Sequence, residues 1–318
     1  MLCPMITSLG GGVGAGKFLK GLSLEAESAD SGLSVIVNSA DDINLSGLHI
    51  SPDVDTIIYW LSGIVDKKKG WGIDGDTFNF IDAAGALGSE NWFRIGDRDL
   101  ATHITRTEMM KSGLTLSETT REIARRLGAS DRVNIMPMTD CEVRTWVRTD
   151  LGEMHFQEYY VLRKMEPQVS GVSFRGIEAA TPAPGVLEAI KDADKIVLCP
   201  SNPVISIGPI LEVAGVRNAL RKSKAVIAAV SPLVGGKPLK GPADRLMKAL
   251  GLEVSSFQIA RMYSDFLNLM VIDNSDRREA EKIKSEGIET LVTDTVISNT
   301  QTARSLARAV LEKMESLR

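Results

Sequence analysis

The sequence predicts the α/β class, with a mainly parallel β-sheet that carries helices on both faces. Three observations lead to this class. Short apolar segments alternate with amphipathic segments along most of the chain, as in a parallel sheet with crossover helices. Residues 67–128 break this alternation and predict a helical insertion, whereas residues 142–162 alternate in the manner of a β-hairpin. The 318 residues suffice to bury one large core or two modest cores.

The predicted elements follow one another as strand, helix, strand and helix at residues 5–9, 18–27, 33–38 and 54–61. After the middle of the chain the alternation resumes at residues 195–199, 209–221, 225–231, 243–250, 269–273, 277–286 and 290–292. A long helix, from about residue 300 to residue 317, closes the chain. Each strand is a short apolar run and each helix is amphipathic, so the pattern indicates repeated βαβ units.

Two regions differ from this pattern. Residues 67–128 are rich in Gly and Asp and contain a helix start, where Thr115 is followed three residues later by Glu118 as in a capping box. Residues 143–149 and 154–160 alternate around the turn residues Asp150, Leu151 and Gly152, which predicts the hairpin. We therefore predict a Rossmann-like α/β core at 1–66 and 129–318, with the hairpin at about 142–162, and a mainly helical insertion at 67–128.

Composition excludes several classes of protein. The formal net charge is −4, and no basic run exceeds three residues, which argues against a nucleic-acid partner. The apolar runs are of strand length, which argues against a membrane partner. Cys3, Cys141 and Cys199 are far apart and lack metal-knuckle spacing, and the first residues do not form a signal peptide. We expect a soluble cytoplasmic protein.

A glycine-rich segment, GGGVGAGKFLKG, follows the first predicted strand and begins at Gly10. It nearly matches a P-loop, but Phe18 stands where a hydroxyl would meet the metal. Such a turn lets a phosphate approach main-chain N–H groups at a helix N-terminus. With a helix starting near Ala15, Phe18 and Leu19 would face the sheet, and Lys17 and Lys20 would point outward. A tight turn that only packs helix against strand is the alternative.

Four carboxylates follow the second predicted strand within two short segments, VNSADDINLSG and SPDVDT. They are Asp41, Asp42, Asp53 and Asp55. Both segments are expected near the carboxyl end of the sheet, where open α/β folds bind ligands. Carboxylates that converge in this way repel one another unless a cation or a substrate offsets the charge, and Mg²⁺ is the natural candidate. The alternative is that individual aspartates cap a helix or form a turn.

The segment RIGDRDLATH holds a second polar group, made of Arg94, Asp97, Arg98, Asp99 and His103. With Asp99 as a helix N-cap, His103 would lie one turn further on the same face. Arg98 would then be free to meet a phosphate or an acidic neighbour. An ordinary ion-pair network is the alternative interpretation.

The segment CPSNPVISIGP follows another apolar strand and puts Ser201 and Asn202 at its carboxyl end. Their side chains and main chain are suited to hydrogen-bond a base, sugar or phosphate. The flanking prolines are equally consistent with a structural turn. The histidines, His49, His103 and His155, stand alone, and zinc-protease and serine-hydrolase motifs are absent from the sequence.

Taken together, these segments resemble the 2-phospho-L-lactate transferase family, whose members make the deazaflavin coenzyme F420. The resemblance covers nearly the whole chain. It is carried by patterns that occur in the family's order and spacing: GGVGAGKFLKGL, NSADDINLSG, SPDVDT, GWGIDGDTFN, GDRDLATH, HFQEYYV, PSNPVISIGPIL, SPLVGGKPLKGPAD and VSSF. The glycine segment then looks like the family's own loop, with Phe18 in its normal place.

This resemblance implies a Mg²⁺-dependent phosphoryl-type transfer. The acceptor would be Fo, 7,8-didemethyl-8-hydroxy-5-deazariboflavin, and the donor a guanosine diphosphate adduct of lactate or of an enolpyruvyl group. The ribityl 5′-hydroxyl of Fo would attack the phosphorus nearer the acid, GMP would leave, and F420-0 or its dehydro form would result. Preorganised N–H groups and a cation suit this chemistry. A homodimer is compatible with the resemblance.

The same resemblance implies residue roles. The diphosphate is expected on Gly11, Gly12 and Gly14, with Ser201 and Asn202 near the guanosine. Metal candidates are Asp42 and Asp53. The catalytic candidates are Asp42 and Asp55, of which Asp55 would also contact Fo and accept the hydroxyl proton. The remaining substrate-binding candidates are Arg94, whose position varies in the family, and Asp97, Arg98 and His103.

Other interpretations are weaker. Related sugar-nucleotide-binding regulatory proteins share a glycine loop and an acidic segment, but their pattern lacks GDRDLATH and HFQE. A P-loop kinase would need the hydroxyl that Phe18 replaces. A non-catalytic interaction module would not require so many polar loops at one sheet edge.

Overall fold

The computed structural model of the chain describes residues 4–318, so Cys3 lies outside the described residues. The strands are β1 (Met5–Gly10), β2 (Gly32–Val37), β3 (Ile43–Leu45), β4 (Leu48–Ile50), β5 (Val133–Pro137), β6 (Arg144–Thr149), β7 (Gly152–His155), β8 (Val169–Arg175), β9 (Lys195–Leu198), β10 (Val226–Val230), β11 (Leu233–Val234), β12 (Lys237–Pro238), β13 (Leu269–Asp273) and β14 (Glu289–Thr293).

The α-helices are α1 (Gly12–Ser28), α2 (Pro52–Ser62), α3 (Asn79–Ala86), α4 (Asp97–Lys111), α5 (Leu116–Arg126), α6 (Val186–Lys191), α7 (Gly208–Glu212), α8 (Val216–Lys222), α9 (Ala243–Ala249), α10 (Ser256–Met262), α11 (Ala280–Ser285) and α12 (Thr300–Glu315). Short 3₁₀ turns lie at Ile177–Ala179 and Asn274–Glu279, and π-helical turns at Glu158–Leu162 and Pro203–Ile207.

Seven strands form one parallel sheet in the order β14-β13-β10-β9-β1-β2-β5. From β1 the chain moves outward through β2 to β5, and from β9 it moves outward in the other direction through β10 and β13 to β14. The carboxyl ends of β1 and β9 therefore flank a topological switch point, where open α/β sheets bind ligands. The predicted α/β fold is confirmed.

Helices cover both faces of this sheet. Alternate residues of each strand point to opposite faces, so Val35 packs in a cluster with Phe18 of α1, and Ile36 in a second cluster with Ile210 of α7. The first cluster also includes α2 and α12, and the second includes α6, α8, α10 and α11. Phe18 is completely buried, which stabilises the fold by about 2–3 kcal/mol relative to an exposed side chain.

The first helix begins earlier than the sequence predicts. It starts at Gly12, whereas the prediction places the start near Ala15. Gly12 has φ +74, a conformation that residues with a Cβ avoid, and it lets the chain enter the helix directly from β1. Phe18 and Leu19 face the sheet as predicted.

The region predicted as a helical insertion contains α3, α4 and α5. The start of α5 is the predicted capping box, with Thr115 and Glu118 bonded to each other's main chain. The carboxyl half of α5 packs in the same apolar cluster as α1, through Ile123 and Ala124. The region is thus helical in the structure. The boundaries at 67 and 128 as those of a separate insertion stay a prediction.

The predicted hairpin is present but shorter. Strands β6 and β7 pair in antiparallel fashion around the predicted turn, and β8, which the sequence did not reveal, adds a third strand. The second hairpin strand was predicted to reach Tyr160, and this was wrong because the chain turns helical after His155. Phe156 and Tyr160 stack one helical turn apart at 5.5 Å between ring centroids, and Tyr159 is buried. Tertiary burial of aromatic side chains overrides their strand preference.

One smaller difference concerns a helix. The single helix predicted over 209–221 is two helices, α7 and α8, because the chain bends between them and Gly215 adopts φ +86 before α8. Among residues 4–318, no helix combines the length and apolar character that crossing a membrane requires. The cytoplasmic location and the homodimer stay predictions.

Candidate active site

One large cavity lies at the switch point, over the carboxyl ends of β1 and β9. Its volume is about 590 Å³, a size suited to a small organic ligand. We call one side the sheet wall, because turns that follow strands form it; its members are Gly11, Gly12, Gly14, Asp41, Asp53 and Ser201. We call the side chains that line the cavity from other segments the outer wall; its members are Trp71, Phe93, Arg94, Phe156, Tyr160 and Leu239.

The glycine turn of the sheet wall is held tightly against the turn after β9. A Cβ on Gly14 would lie 2.2 Å from the carbonyl oxygen of Pro200, so only glycine fits there. The hydroxyl of Ser201 accepts from the N–H of Gly11 at 3.1 Å and donates to its carbonyl at 3.0 Å. The first N–H groups of α1 have no acceptor inside the helix, and they face the cavity end of the sheet.

Two aspartates lie directly beside this turn. The Nδ2 group of Asn38 donates to Oδ2 of Asp53 at 2.9 Å, and a Cβ on Gly11 would meet that same oxygen. Burial, reinforced by the charge of Asp42, raises the pKa of Asp53 to about 6. Burial raises the pKa of Asp41 well above its ordinary value, and the charge of Asp53 adds to the shift. The sheet wall therefore holds carboxylates that a cation would stabilise.

Asp42 is placed differently from its neighbour. It is buried behind the wall, where Ser51 donates to its Oδ2 at 2.7 Å and Nε2 of His49 lies 2.9 Å from the same atom. It does not line the cavity, whereas Asp41 does. Among residues 4–318, the second oxygens of Asp41 and Asp42 have no hydrogen-bond partner, which a bound cation would supply.

The residues present fit Mg²⁺ as an ion held by few protein ligands. Within residues 4–318, no group of three or more His, Cys, Asp or Glu side chains is arranged to hold a metal. Mg²⁺ is commonly held by one or two carboxylates together with substrate phosphates and water. The pair of orphaned oxygens and the raised pKa of Asp53 match that donor set.

Side chains of the hairpin segment hold the acidic turn in place. Burial and the nearby charge of Arg144 lower the pKa of His155 to about 4, so the ring is neutral at pH 7. Its Nδ1 accepts from the N–H of Gln157, which leaves Nε2 to donate to the carbonyl of Asp42 at 3.2 Å. The amide of Gln157 donates to the carbonyl of Asp41 at 3.2 Å. The HFQ residues thus fix the main chain of both aspartates.

Asp55 lies at the base of the cavity in a buried ion pair. It comes from α2, and the fully buried guanidinium of Arg106 on α4 binds both of its carboxylate oxygens, one of them at 2.9 Å. Nδ1 of His103 lies 3.5 Å from the same carboxylate. The sequence did not single out Arg106, because a lone arginine within a helix carries no motif. This pair joins the core to the helices of the insertion.

His103 and Asp99 lie on one face of α4, as predicted, with Nε2 of His103 at 3.5 Å from Oδ1 of Asp99. The prediction that Asp99 is the N-cap was wrong, because α4 begins at Asp97 after Gly96. Tyr59 donates to Asp99 at 2.6 Å. Burial acts to raise the pKa of Asp99, but His103, the hydrogen bond from Tyr59 and the charge of Arg106 together outweigh burial, so the pKa lies below its ordinary value.

The remaining polar residues of RIGDRDLATH lie in different surroundings. Arg94 lines the cavity, pairs with Asp82 and stacks over the ring of Phe78 at 4.7 Å. Asp97 and Arg98 do not line the cavity. The carboxylate of Asp97 accepts from main-chain N–H groups at the start of α3 and so acts as its cap. The guanidinium of Arg98 is exposed and donates to a main-chain carbonyl.

Ser201 and Asn202 both line the cavity and both have a structural task. Ser201 ties the glycine turn to β9, and Oδ1 of Asn202 accepts from the N–H groups of Val204 and Ile205 at the start of the following helical turn. The two interpretations that the sequence left open are therefore compatible, because one side chain both shapes the turn and faces the cavity.

Sequence reasoning missed most of the outer wall. Its aromatic residues come from segments 67–93 and 156–160, which the fold brings to the same cavity as the glycine turn. Trp71, Phe156 and Tyr160 do lie in patterns that carry the family resemblance, GWGIDGDTFN and HFQEYYV, but those patterns do not indicate a role for the individual side chains. Lys17, which was predicted to point away from the sheet, lines the cavity, and its Nζ donates to the carbonyl of Ile297 at 3.3 Å.

Comparison with known proteins decides the family. The family model described as 2-phospho-L-lactate transferase CofD matches residues 6–313. The chain belongs to this family. It is accordingly a transferase of coenzyme F420 biosynthesis. Two curated relatives bear names that agree with this, and both are matched over nearly their full length.

The 2-phospho-L-lactate transferase of Methanosarcina mazei is 40% identical over 302 residues, which is 95% of this chain and 98% of that protein. The phosphoenolpyruvate transferase of Streptomyces griseus is 39% identical over 319 residues, which is 98% of this chain and 99% of that protein. Both names favour a family transferase over a regulatory protein. A solved UPF0052-family protein of Bacillus halodurans, 18% identical, covers 98% of this chain and 99% of its own with a TM-score of 0.63, and so shares the fold.

Proposed function

We propose that this protein transfers a 2-phospholactyl or enolpyruvyl phosphate group from a guanosine diphosphate adduct to the ribityl 5′-hydroxyl of Fo. GMP would be released, and F420-0 or dehydro-F420-0 would form. The observation that carries the proposal is the convergence of the glycine turn and the buried aspartates in one cavity, in a chain of the 2-phospho-L-lactate transferase family. A diphosphate has its main-chain donors and its charge compensation at a single place.

The two walls suit the two substrates. The sheet wall offers N–H groups and carboxylates, which suit a diphosphate with its cation. The outer wall offers aromatic and apolar side chains, which suit the flat ring system of a deazaflavin. The cavity connects both walls, so an acceptor hydroxyl lies within reach of a phosphorus held at the glycine turn.

The transfer exchanges one phosphorus–oxygen bond for another. The hydroxyl oxygen of Fo forms a bond to the phosphorus that carries the acid group, and the bond from that phosphorus to the bridging oxygen breaks. GMP leaves with the bridging oxygen, and the hydroxyl proton passes to a base. We assign that base to Asp55, which the bidentate contact with Arg106 holds at the cavity floor.

We further propose that Mg²⁺ binds at Asp42 and Asp53, with Asp41 as an additional ligand. The support is the orphaned oxygens of Asp41 and Asp42 and the raised pKa of Asp53. The ion would neutralise the charge that develops on the diphosphate as the bridge breaks. Asp42, a catalytic candidate from the sequence, would then act through the ion rather than by touching Fo.

A product assay tests the proposal. Purified protein is mixed with Fo, Mg²⁺ and either the lactyl or the enolpyruvyl guanosine adduct, and the products are identified by mass. We expect Fo-dependent release of GMP together with F420-0 or dehydro-F420-0, and the better donor identifies the acid. Release of GMP at the same rate without Fo, or no new deazaflavin product with either donor, would contradict the transfer. Full activity in the presence of a chelator would contradict the proposed requirement for Mg²⁺.

A further inference from the structure

Two lysines from distant parts of the chain lie close together at the rim of the cavity. Lys17 lies in the second turn of α1, and Lys240 lies in the loop between β12 and α9; both line the cavity. Nζ of Lys17 donates to the carbonyl of Ile297 at 3.3 Å. Nζ of Lys240 donates to the carbonyl of Lys69 at 2.7 Å. Each ammonium group is therefore held in place by a main-chain oxygen, with other N–H bonds free to point elsewhere.

These two cations lack acidic partners. Among residues 4–318, no carboxylate lies within salt-bridge distance of either lysine, whereas other lysines, such as Lys69 and Lys195, pair with a carboxylate. Partial burial lowers the pKa of Lys240, and the charge of Lys17 lowers it further, so the two ammonium groups repel each other. An anion between them would remove that repulsion.

The charges in the cavity are therefore divided. Asp41 and Asp53 belong to the turn after β2 and to α2, whereas Lys17 and Lys240 belong to α1 and to the loop between β12 and α9. The glycine turn, at Gly11–Gly14, lies between the two groups. A diphosphate that spans the turn would have one phosphate toward the carboxylates and their cation, and the other toward the lysines.

We propose that Lys17 and Lys240 form a phosphate clamp for the GMP part of the donor, and that they stabilise GMP as it leaves. The proposal rests on the proposed function for the identity of the nucleotide, and it names the two residues that recognise its phosphate. As the bridging bond breaks, negative charge accumulates on the departing phosphate. Two fixed ammonium groups at that position stabilise the charge more in the transition state than in the bound donor.

The main-chain carbonyl of Lys69 connects the clamp to the insertion. Lys69 lies at the start of the insertion, so its carbonyl holds Lys240 from a segment outside the sheet. Lys69 itself pairs through its side chain with Asp66 and is not the group that faces the phosphate. The clamp is thus assembled from α1, the β11–β12 region and the start of the insertion.

Matched substitutions test the clamp. Lys17→Met and Lys240→Met remove the two charges. Lys20→Met and Lys237→Met are the controls. Lys20 lies on the same helix as Lys17 but donates to the carbonyl of Leu61, and Lys237 lies in β12, three residues before Lys240; neither control residue lines the cavity. Binding of GMP and of guanosine, which has no phosphate, is measured by titration calorimetry in buffer with Mg²⁺, and melting temperatures check the fold.

We expect each clamp variant to weaken GMP binding about tenfold, as for loss of a charged hydrogen bond, while guanosine binding stays within about twofold. Both controls should bind GMP like the unmodified protein, and Lys240→Arg, which keeps the charge, should restore most of the affinity. Equal losses for GMP and guanosine, unchanged GMP binding in both clamp variants, or no GMP binding by the unmodified protein would overturn the clamp.

The test separates the clamp from the transfer reaction. Phosphate-dependent loss of GMP affinity in a protein that makes no deazaflavin product would leave the clamp standing and contradict the proposed transfer. Normal transfer to Fo with GMP affinity that is independent of both lysines would leave the transfer standing and contradict the clamp.

Discussion

The two walls of the cavity are built by different means. The sheet wall consists of turns that follow β1, β2 and β9, where main-chain groups of Gly11 and Gly14 lie against neighbouring turns with no space for a side chain. The outer wall consists of long side chains, among them Trp71 and Tyr160, that reach the cavity from segments far apart in the chain. The contrast teaches that one wall of the cavity depends on main-chain geometry and the other on side-chain size.

The walls also differ in what holds them. The parallel ladder fixes the sheet wall, because Ser201 and Gly11 follow strands that are hydrogen-bonded along their length. The outer wall depends on individual side chains, and the buried pair of Asp55 and Arg106 links α2 of the core to α4 in the region that carries part of this wall. Substitutions in the two walls should therefore differ both in the property they affect, stability or turnover, and in the size of the effect.

The largest effect is expected from breaking the link between the walls. Arg106→Met leaves the buried carboxylate of Asp55 without its partner and should lower the free energy of unfolding by about 3–5 kcal/mol, measured by urea denaturation. Adding Asp55→Asn to this variant should recover part of the loss, because the unpaired charge is removed. Lys111→Met, an exposed position on the same helix, should change stability by less than about 0.5 kcal/mol. Equal stability of Arg106→Met and Lys111→Met would show that the pair does not hold the walls together.

The next effect concerns the sheet wall alone. Gly14→Ala puts a Cβ 2.2 Å from the carbonyl oxygen of Pro200, so the turn must shift and the donor phosphates with it. Turnover should fall about 100-fold, since a displacement of about 1 Å in a reacting group has that cost. Gly171→Ala is the matched control, because its nearest neighbour would lie 3.9 Å away. If both variants retain normal turnover, the sheet wall does not position the phosphates.

A pH experiment tests the carboxylates of the sheet wall. The pKa of Asp53 is about 6 in the folded protein and near 3.8 when unfolded, so the folded state binds more protons between these values. In metal-free protein, the contribution of Asp53 to the free energy of unfolding is therefore greatest below pH 4 and is lost as the pH rises through 6. Asp53→Asn should remove that contribution and stabilise metal-free protein at pH 7 by about 1–3 kcal/mol.

Mg²⁺ sharpens this test. Added Mg²⁺ should raise the melting temperature of the unmodified protein at pH 7 and raise that of Asp53→Asn much less, because the ion offsets the repulsion that the substitution already removes. A melting temperature of Asp53→Asn that falls with pH as steeply as that of the unmodified protein would remove Asp53 from the proposed site.

The smallest effect is expected from substitutions of two arginines in the insertion, Arg94 and Arg98. Arg94 lines the outer wall and stacks on Phe78, whereas Arg98 is exposed and away from the cavity. Arg94→Ala should raise the KM for Fo about fivefold, the size of one exposed cation–π contact, with kcat nearly unchanged. Arg98→Ala should leave both constants within about twofold. A larger loss for Arg98→Ala would restore it as a substrate-binding residue and weaken the distinction between cavity and surface.

Local chemistry accounts for what was predictable. The turns after the strands were found from Gly and Asp at strand ends, because glycine without a Cβ and clustered carboxylates are unusual enough to be recognised in a single segment. The buried face of α1 was predicted correctly from the spacing of Phe18 and Leu19. The cap at Asp99 and the strand over residues 156–160 failed, since a neighbour that is distant in sequence decided each of them.

The sequence by itself determined the α/β class, the position of the glycine turn and the family, because periodicity and short motifs are local properties of the chain. Only the tertiary structure decided that Asp41 rather than Asp42 faces the cavity, that Arg106 binds Asp55, and that Lys17 and Lys240 lie at one rim. Those relations depend on how the crossover connections place segments more than 50 residues apart, and the burial that fixes them is a sum over the whole molecule.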